Sequence, residues 1–164
     1  MLTLSVFATT LEQWMDVLYT FIISMVPIIE LRGAIPVGIG LGVPPWLAVT
    51  VSIIGNIIPV PFIIFFIKKI FAFMRRWKKL DGLVTRLEKR AEKKSDSIKK
   101  HAFWGLFLFV AIPLPGTGAW TGSLIAALLD MPPKKSLLTI ALGVMGAAVI
   151  MTVASLLGFK AFGF

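Results

Sequence analysis

Two hydrophobic segments of this chain are long enough to cross a lipid bilayer. They cover residues 46–67 and 136–159. About 20 apolar residues, each rising about 1.5 Å in a helix, span the roughly 30 Å of hydrocarbon in a bilayer. Four other apolar stretches are shorter and are interrupted by Gly, Pro or a charged residue, which predicts half-helices at residues 17–29, 33–43, 103–113 and 119–129.

The chain also repeats itself at an offset of 88 residues, without a gap. The identical pairs are Phe21 with Phe109, Pro27 with Pro115, Leu41 with Leu129, Pro44 and Pro45 with Pro132 and Pro133, and Gly55 with Gly143. Each copy is predicted to contain a short helix, a break, a second short helix, a Pro-Pro corner and a transmembrane helix. Broken segments in matching halves indicate the binding site of a transporter.

If each pair of half-helices enters the membrane and returns to the same side, only the last helix of a copy crosses. The second copy then begins on the opposite side. The predicted fold is therefore an all-α integral membrane protein with two inverted repeats, each a re-entrant helical hairpin followed by a transmembrane helix. One membrane domain covers residues 1–164, with an interfacial N-terminal helix at 1–16, repeat 1 at 17–67, a basic segment at 68–101 and repeat 2 at 102–164.

Composition and charge agree with a multi-pass membrane protein. Hydrophobic residues make up 57% of the chain and charged residues 15%, against about 25% charged in an average soluble domain. Thirteen of the 17 Lys and Arg lie in residues 68–101, together with four acids. Cytoplasmic loops retain Lys and Arg, so this segment is predicted to be a cytoplasmic amphipathic helix, with both termini outside. No recognition motif accompanies the charge, so nucleic acid is not an expected partner.

The residue types exclude several kinds of chemistry. The chain has no Cys and one His, so we expect no disulfide, no metal site and no cofactor held by such ligands. No Ser, Cys or His is placed beside a base in the hydrophobic segments, so we expect no catalytic residues and no enzyme.

Two predicted hairpin tips carry the candidate site. The first tip is residues 30–33 and the second is residues 115–118. Both returning half-helices begin there, so unpaired backbone N–H groups and positive dipole ends should face each other around a cavity. Arg32 adds a planar cation suited to phosphate or carboxylate, and the second tip allows close backbone approach through its small residues, Gly116, Thr117 and Gly118. The tips thus predict an anion site.

Glu30 is expected to end the entering half-helix and to serve as a proton or cation carrier, because ionisable residues inside a membrane are functional by default. The alternative is that Glu30 and Arg32 neutralise each other and brace the hairpin. Asn56 could line the cavity or bond backbone freed by a proline kink, and Trp120 could form a cavity wall or pack between helices. The candidate binding residues also include Gly33 and Pro36, which follow the two charges.

The motifs "ELRGAIP", "LGVPP" and "PLPGTGAWTGSLIA" resemble the small multidrug export protein family and, more remotely, the DedA/SNARE-associated membrane proteins. The resemblance covers nearly the whole chain. It implies a bacterial or archaeal inner-membrane protein with two facing re-entrant hairpins, and a dimer. It also associates the chain with lipid movement, including polyprenyl phosphate carriers, and with drug tolerance that depends on the proton-motive force.

We therefore expect a secondary transporter or lipid translocase that binds an anionic headgroup or a small amphipathic compound between the hairpins. Protons or another ion would couple through Glu30, and membrane lipids would be partners. A homodimer is expected because five to six passes or half-passes make a small body. The alternatives are a small multidrug exporter, an ion channel or exchanger, and a non-transporting assembly protein.

Overall fold

The computed structural model describes residues 2–76, 81–82, 84–86, 89 and 102–161. This part of the chain is helical and contains no strand, so the predicted all-α class is confirmed. The helices with described bounds are α1 Leu2–Met25, α2 Glu30–Gly40, α3 Pro45–Ile57, α4 Pro59–Met74, α5 Ala102–Ala111, α6 Ala119–Leu128 and α7 Pro133–Ala161.

The two predicted membrane spans are present. Helices α3 and α4 together form a candidate span of 30 residues, and α7 forms one of 29 residues. Each span begins at the second residue of a Pro-Pro pair, where the missing N–H costs nothing and the fixed φ suits the first helical turn. Pro59 lacks the N–H that would continue the ladder of α3, so the first span breaks into two helices at Ile58.

The outer surface of both spans is apolar. Only 33% of each hydrophobic span is buried inside the protein, and large side chains such as Phe62, Val149 and Leu157 are more than half exposed. A surface of this kind is stable against lipid tails. The chain is accordingly a membrane protein.

The helix ends differ from the sequence prediction in the first half. Residues 1–16 were predicted to form a separate interfacial helix, but α1 continues from Leu2 to Met25. The break comes at residues 26–29, which we call the first loop. The predicted tip at residues 30–33 therefore belongs to α2. In the second half, residues 112–118 form the second loop, which includes the predicted tip at 115–118.

The helices pack in two similar groups. Helix α1 lies against α2 and α3, and α5 lies against α6 and α7. The two groups meet where α2 contacts α7 and where α4 contacts α6. Small residues allow close crossings, because a Cβ on Gly55 would lie 2.8 Å from the Phe21 carbonyl and one on Gly143 would lie 2.7 Å from Val110 Cβ. This packing brings the beginnings of α2 and α6 together.

The predicted amphipathic helix of the basic segment is only partly covered. Residues 77–80, 83, 87–88 and 90–101 lie outside the described residues. Helix α4 extends through Lys68 and Lys69 as far as Met74. The basic segment therefore starts on the same helix that ends the first span.

Candidate functional site

Arg32 joins the first helix group to the second loop. Its two terminal nitrogens donate to four backbone carbonyls, and the acceptors are Val110 O at 3.1 Å, Ile112 O at 3.2 Å, Leu114 O at 3.0 Å and Thr117 O at 2.8 Å. Val110 lies in the last turn of α5, where carbonyls have no partner within the helix and the dipole favours a cation. Arg32 therefore caps the C-terminal end of α5 and holds the loop that follows it.

Glu30 performs the opposite role at the start of α6. Its side chain is 3% exposed, and Oε1 accepts a hydrogen bond of 3.0 Å from the Trp120 backbone N–H. The Ala119 backbone N–H also interacts with the carboxyl. The first N–H groups of a helix lack partners within it, and an anion is stabilised there. Glu30 thus supplies the N-terminal cap of α6 from another helix.

Gly118 makes room for this carboxylate. A Cβ at this position would lie 2.7 Å from Glu30 Cδ. The residue also has φ of +124°, a backbone conformation that favours glycine. Gly118 is the N-cap residue of α6 and accepts the Gly122 N–H at 2.8 Å. The close approach of the Glu30 carboxylate to α6 therefore requires a glycine here.

The two charges do not form an ion pair with each other. Among the described residues, the ion pairs are Lys68 with Asp130 and Arg75 with Asp81. The prediction that Glu30 ends the entering half-helix was wrong, because Glu30 is the first residue of α2. Each charge is instead stabilised by one end of a helix in the second group.

The first loop holds Glu30 in an unusual backbone conformation. Ile28 has φ of +78° and Glu30 has φ of +54°. Left-handed backbone is rare for residues other than Gly, and most of all for a β-branched residue such as isoleucine. Strained backbone of this kind persists where the surrounding structure fixes it and is concentrated at functional sites.

Asn56 lies beside the Glu30 carboxyl on the buried face of α3. Its side chain is 1% exposed and its amide faces the Glu30 carboxyl, but neither amide atom makes a hydrogen bond of normal geometry within the described part of the chain. Ser52, one turn earlier on the same face, is fully buried and its hydroxyl also lacks a partner among the described residues. Burying a polar group without a hydrogen bond destabilises the fold by about 1–3 kcal/mol. Packing alone therefore does not account for Ser52 and Asn56 at these positions. The sequence analysis missed Ser52, although its four-residue spacing from Asn56 in an apolar span was a usable signal.

The remaining predicted residues occupy the second loop and the two helix starts. The Thr117 hydroxyl bonds within its own loop, to Leu114 O at 2.8 Å and Ile112 O at 3.0 Å. Gly116 has φ of +74° and turns that loop. The Trp120 indole N–H is buried without a partner among the described residues. The structure thus brings the second loop and Trp120 together with both charges.

Two further predicted residues lie on α2 and serve its packing. Gly33 has no space for a side chain because Ile29 packs against it. Pro36 lies inside α2 and is partly buried. Neither contacts the second loop through a hydrogen bond that the described residues show.

Three cavities lie away from both loops. The first, of about 250 Å³, lies between α1 and the α2–α3 connection and is lined by residues including Gln13, Asp16 and Leu47. The second is an apolar groove of about 430 Å³ between α3 and α7. The third, of about 340 Å³, is beside the basic end of α4. Neither Glu30 nor Arg32 lines any of these three, and the two residues are in contact with protein groups instead.

Comparison with known proteins identifies a family. The model of the family described as "Putative small multi-drug export protein" matches residues 30–150, which is more than half of the chain. The match begins at Glu30 and includes Arg32, Asn56, the second loop and α6. No match was found among curated proteins or among solved structures. The chain belongs to this family of small multi-drug export proteins.

Proposed function

We propose that this protein is a secondary transporter that exports small amphipathic compounds, with proton coupling through Glu30. The observation that carries the proposal is the buried Glu30 carboxylate at the start of α6, which the buried Asn56 amide also faces. A buried carboxyl in a membrane protein is a functional candidate by default. The family description supports export as the direction of transport.

The proposal includes two inverted repeats, and the helix bounds support them. Shifting α2 by 88 residues gives 118–128, and α6 occupies Ala119–Leu128. The same shift carries the start of α3 at Pro45 to the start of α7 at Pro133. The packing partners also correspond, because α1 with α2 and α3 matches α5 with α6 and α7. Gly55 and Gly143 lie at the equivalent crossings.

Re-entrant hairpins are supported by the depth of the loops. Asn56, which lies beside Glu30, is the twelfth residue of the 30-residue span that starts at Pro45. At about 1.5 Å per residue, Glu30 lies about 17 Å from the start of a span about 43 Å long. We infer that the start of α2 lies in the interior of the membrane rather than at its surface.

The proposed orientation places the basic end of α4 in the cytoplasm of a bacterial or archaeal inner membrane, with both termini outside. Lys and Arg near the ends of spans determine orientation. Exposed tryptophans support membrane boundaries at both ends of the spans, because Trp46 at the start of α3 is 70% exposed and Trp104 at the start of α5 is 60% exposed.

The contacts of Arg32 favour an amphipathic compound over an anionic lipid headgroup as the substrate. Both terminal nitrogens of Arg32 already donate to the second loop, and the first N–H groups of α6 already bind Glu30. An anion such as a polyprenyl phosphate would have to displace these groups. We therefore retain lipid translocation as the alternative and multidrug export as the main proposal.

Protonation of Glu30 provides a mechanism for opening the contact between the two helix groups. An ionised carboxylate accepts stronger hydrogen bonds than a neutral carboxyl does. Adding a proton removes the negative charge from the start of α6 and weakens the attachment of α2 to α6. The loops can then separate and open a route for the compound. Proton binding at Glu30 and movement of the compound are then coupled.

The proposal also includes a homodimer in the lipid bilayer. The first loop exposes Ile28 at 93% and the second exposes Leu114 at 56%. Non-helical backbone inside a membrane is tolerated where protein or water covers it. A second copy of the chain would cover both loops at once.

Reconstituted vesicles with an imposed pH gradient test the proposed function. Uptake of a fluorescent lipophilic cation should be saturable, should follow the gradient, and should be lost in Glu30→Gln. Glu12→Gln, which changes an exposed carboxyl on α1, is the matched control and should transport normally. Normal uptake by Glu30→Gln would refute the coupling role, and conductance that does not saturate would favour a channel. Absence of uptake in the unmodified protein, with polyprenyl phosphate flipping in its place, would favour the lipid alternative.

A further inference from the structure

A line of polar residues, all buried except the partly buried Asp16, runs from a surface cavity toward the Glu30 carboxyl. Its members are Asp16, Thr20 and Ser24 on α1, Ser52 and Asn56 on α3, and Glu30 at the start of α2. The residues on α1 and α3 recur every four positions, which places each set on one face of its helix. Both faces point into the packed first group.

The outer end of the line opens at the cavity between α1 and the α2–α3 connection. Asp16 lines that cavity, which has a volume of about 250 Å³. The Asp16 carbonyl accepts a hydrogen bond of 2.8 Å from the Thr20 hydroxyl. Thr20 is fully buried, and its hydrogen bond to the Asp16 backbone places it one helical turn below a residue that lines the cavity.

The middle of the line is formed by hydroxyl groups at close helix crossings. A Cβ on Gly38 of α2 would lie 2.7 Å from Thr20 Oγ1, and a Cβ on Gly55 of α3 would collide with the Ser24 hydroxyl. The two hydroxyls of α1 therefore face the other two helices. Ser24 packs against Gly55 of α3, the residue before Asn56, and the Asn56 amide faces Glu30.

The fold does not need polar residues at these positions of α3. The 88-residue offset relates Ser52 to Ile140 and Asn56 to Val144, and both apolar residues are fully buried on α7. The second copy thus packs with hydrocarbon where the first copy buries the Ser52 hydroxyl, which has no partner among the described residues, and the Asn56 amide, which faces Glu30. Buried waters bind where two to four polar groups converge, and these atoms together with the carboxylate supply that number.

We propose that this line is a proton path from the outer cavity to Glu30, with hydroxyl groups at the helix crossings and buried water beside Ser52 and Asn56. It rests on the proposed function, because it takes Glu30 to be the coupling group. Protons pass between waters and hydroxyls and end on the carboxylate, and no bond between heavier atoms changes. The groups facing Glu30 are Arg32, the Asn56 amide and the first backbone N–H groups of α6. Arg32 is a protonated guanidinium that donates to the second loop and to Val110, so the Glu30 carboxylate is the proton acceptor.

The direction of the path fits export. The cavity lies beside the start of α3, and the basic residues lie at the end of α4, which is the other end of the same span. In the proposed orientation the cavity therefore faces outside. Protons would enter from the outside while compounds leave the cell.

Cysteine accessibility tests the path without any transport measurement, and the chain contains no cysteine that would react in the background. Ser52→Cys is compared with Ile140→Cys, its repeat-related partner with the same burial. Ag⁺, a thiol-reactive ion small enough to follow a file of waters, is added to right-side-out membrane vesicles. Thiols that have not reacted are then counted with a maleimide dye in denaturing detergent.

The expected result is that Ser52→Cys reacts several-fold faster than Ile140→Cys, and faster from the outside than in inverted vesicles. Equal rates for the two variants, or faster reaction from the basic side, would overturn the path. Size-exclusion profiles establish that both variants are folded. Thr20→Cys repeats the comparison at a second position if Ser52→Cys does not fold.

The result is separable from the test of the proposed function. If Ser52→Cys reacts and Glu30→Gln still transports, the path stands and the coupling role of Glu30 fails. If Glu30→Gln loses transport and Ser52→Cys is protected, the coupling role stands and this path is wrong. Ser52→Ile adds a functional measurement, because it should lose gradient-driven uptake and retain exchange of compound across vesicles without a gradient.

Discussion

Replacing Arg32 by methionine is expected to destabilise the protein strongly. The substitution keeps a long apolar stem and removes a guanidinium that donates three hydrogen bonds to the second loop and one to the Val110 carbonyl of α5. The carbonyls it leaves behind include the Val110 carbonyl at the end of α5, which has no partner within that helix. The loop between α5 and α6 therefore loses its attachment to α2.

The size of the effect follows from the burial of the four bonds. Those to Thr117 and Val110 are partly buried, whereas those to Leu114 and Ile112 are exposed and can be replaced by water. Hydrogen bonds to charged groups contribute about 1.5–3 kcal/mol each. The two partly buried bonds together give an expected loss of about 3–6 kcal/mol in the free energy of unfolding. Arg32→Lys keeps the charge without the planar fork and should lose about half as much.

The measurement is equilibrium unfolding by SDS in mixed micelles, followed by far-ultraviolet circular dichroism. Arg76→Met, which removes an exposed guanidinium just beyond α4, is the matched control and is expected to change stability by about 0.5 kcal/mol or less. If Arg32→Met fell within about 1 kcal/mol of this control, the capping of α5 would contribute little and the reasoning would be refuted.

Three other substitutions test neighbouring features by the same unfolding measurement. Gly118→Ala should lower the free energy of unfolding by about 2–5 kcal/mol, because strain at positive φ adds to a collision with the buried Glu30 carboxylate. Gly42 also has positive φ but lies in open space, so Gly42→Ala should lower it by only about 1–2 kcal/mol. Equal costs would contradict the proposed close approach. Gly55→Ala should lower the free energy of unfolding by about 1–3 kcal/mol, because the new methyl group meets α1 at the α1–α3 crossing. Gly158→Ala meets nothing within 4 Å and should raise the free energy of unfolding by up to about 1 kcal/mol through its higher helix propensity. A neutral Gly55→Ala would argue against a tight crossing. Asp130→Asn removes an exposed ion pair and should change stability by less than about 1 kcal/mol, with no difference at high salt; a larger loss would show that the bilayer shields the pair.

The long elements of the fold could be predicted from the sequence because a bilayer sets their length. Both spans were found from their apolar runs next to a Pro-Pro pair, although the first continues through Lys68 and Lys69 to Met74 and the second begins at Pro133. The second loop was also placed correctly, because Gly and Pro are concentrated at residues 113–118 and cannot continue a helix.

The first loop was misplaced because two charged residues were taken as the break in the chain. The structure breaks earlier, at residues 26–29, where Pro27 lacks an N–H and Ile28 adopts positive φ. No sequence pattern indicates left-handed backbone at an isoleucine, because this conformation is imposed by the surrounding packing.

The charged residues of the site could be predicted, but their partners could not. Arg32 donates to carbonyls 78 to 85 residues further along the chain. Every residue has a backbone carbonyl, so an acceptor of this kind leaves no trace in the sequence. The same reason explains why Glu30 and Arg32 were expected to pair with each other or with a ligand. The ends of α5 and α6, together with the electrostatic attraction between the two charges, stabilise both of them.

Gly118 has a consequence for how the two copies are related. In the inverted arrangement proposed above, position 118 is the counterpart of position 30, and the glutamate at one lies where a side chain at the other would be. Only one copy can therefore carry the glutamate, and the other copy needs a glycine at the equivalent position. Two first halves assembled as separate chains would set carboxylate against carboxylate, and two second halves would have no charge to offer. In that arrangement the two halves are not interchangeable, so the contact exists only when both are present.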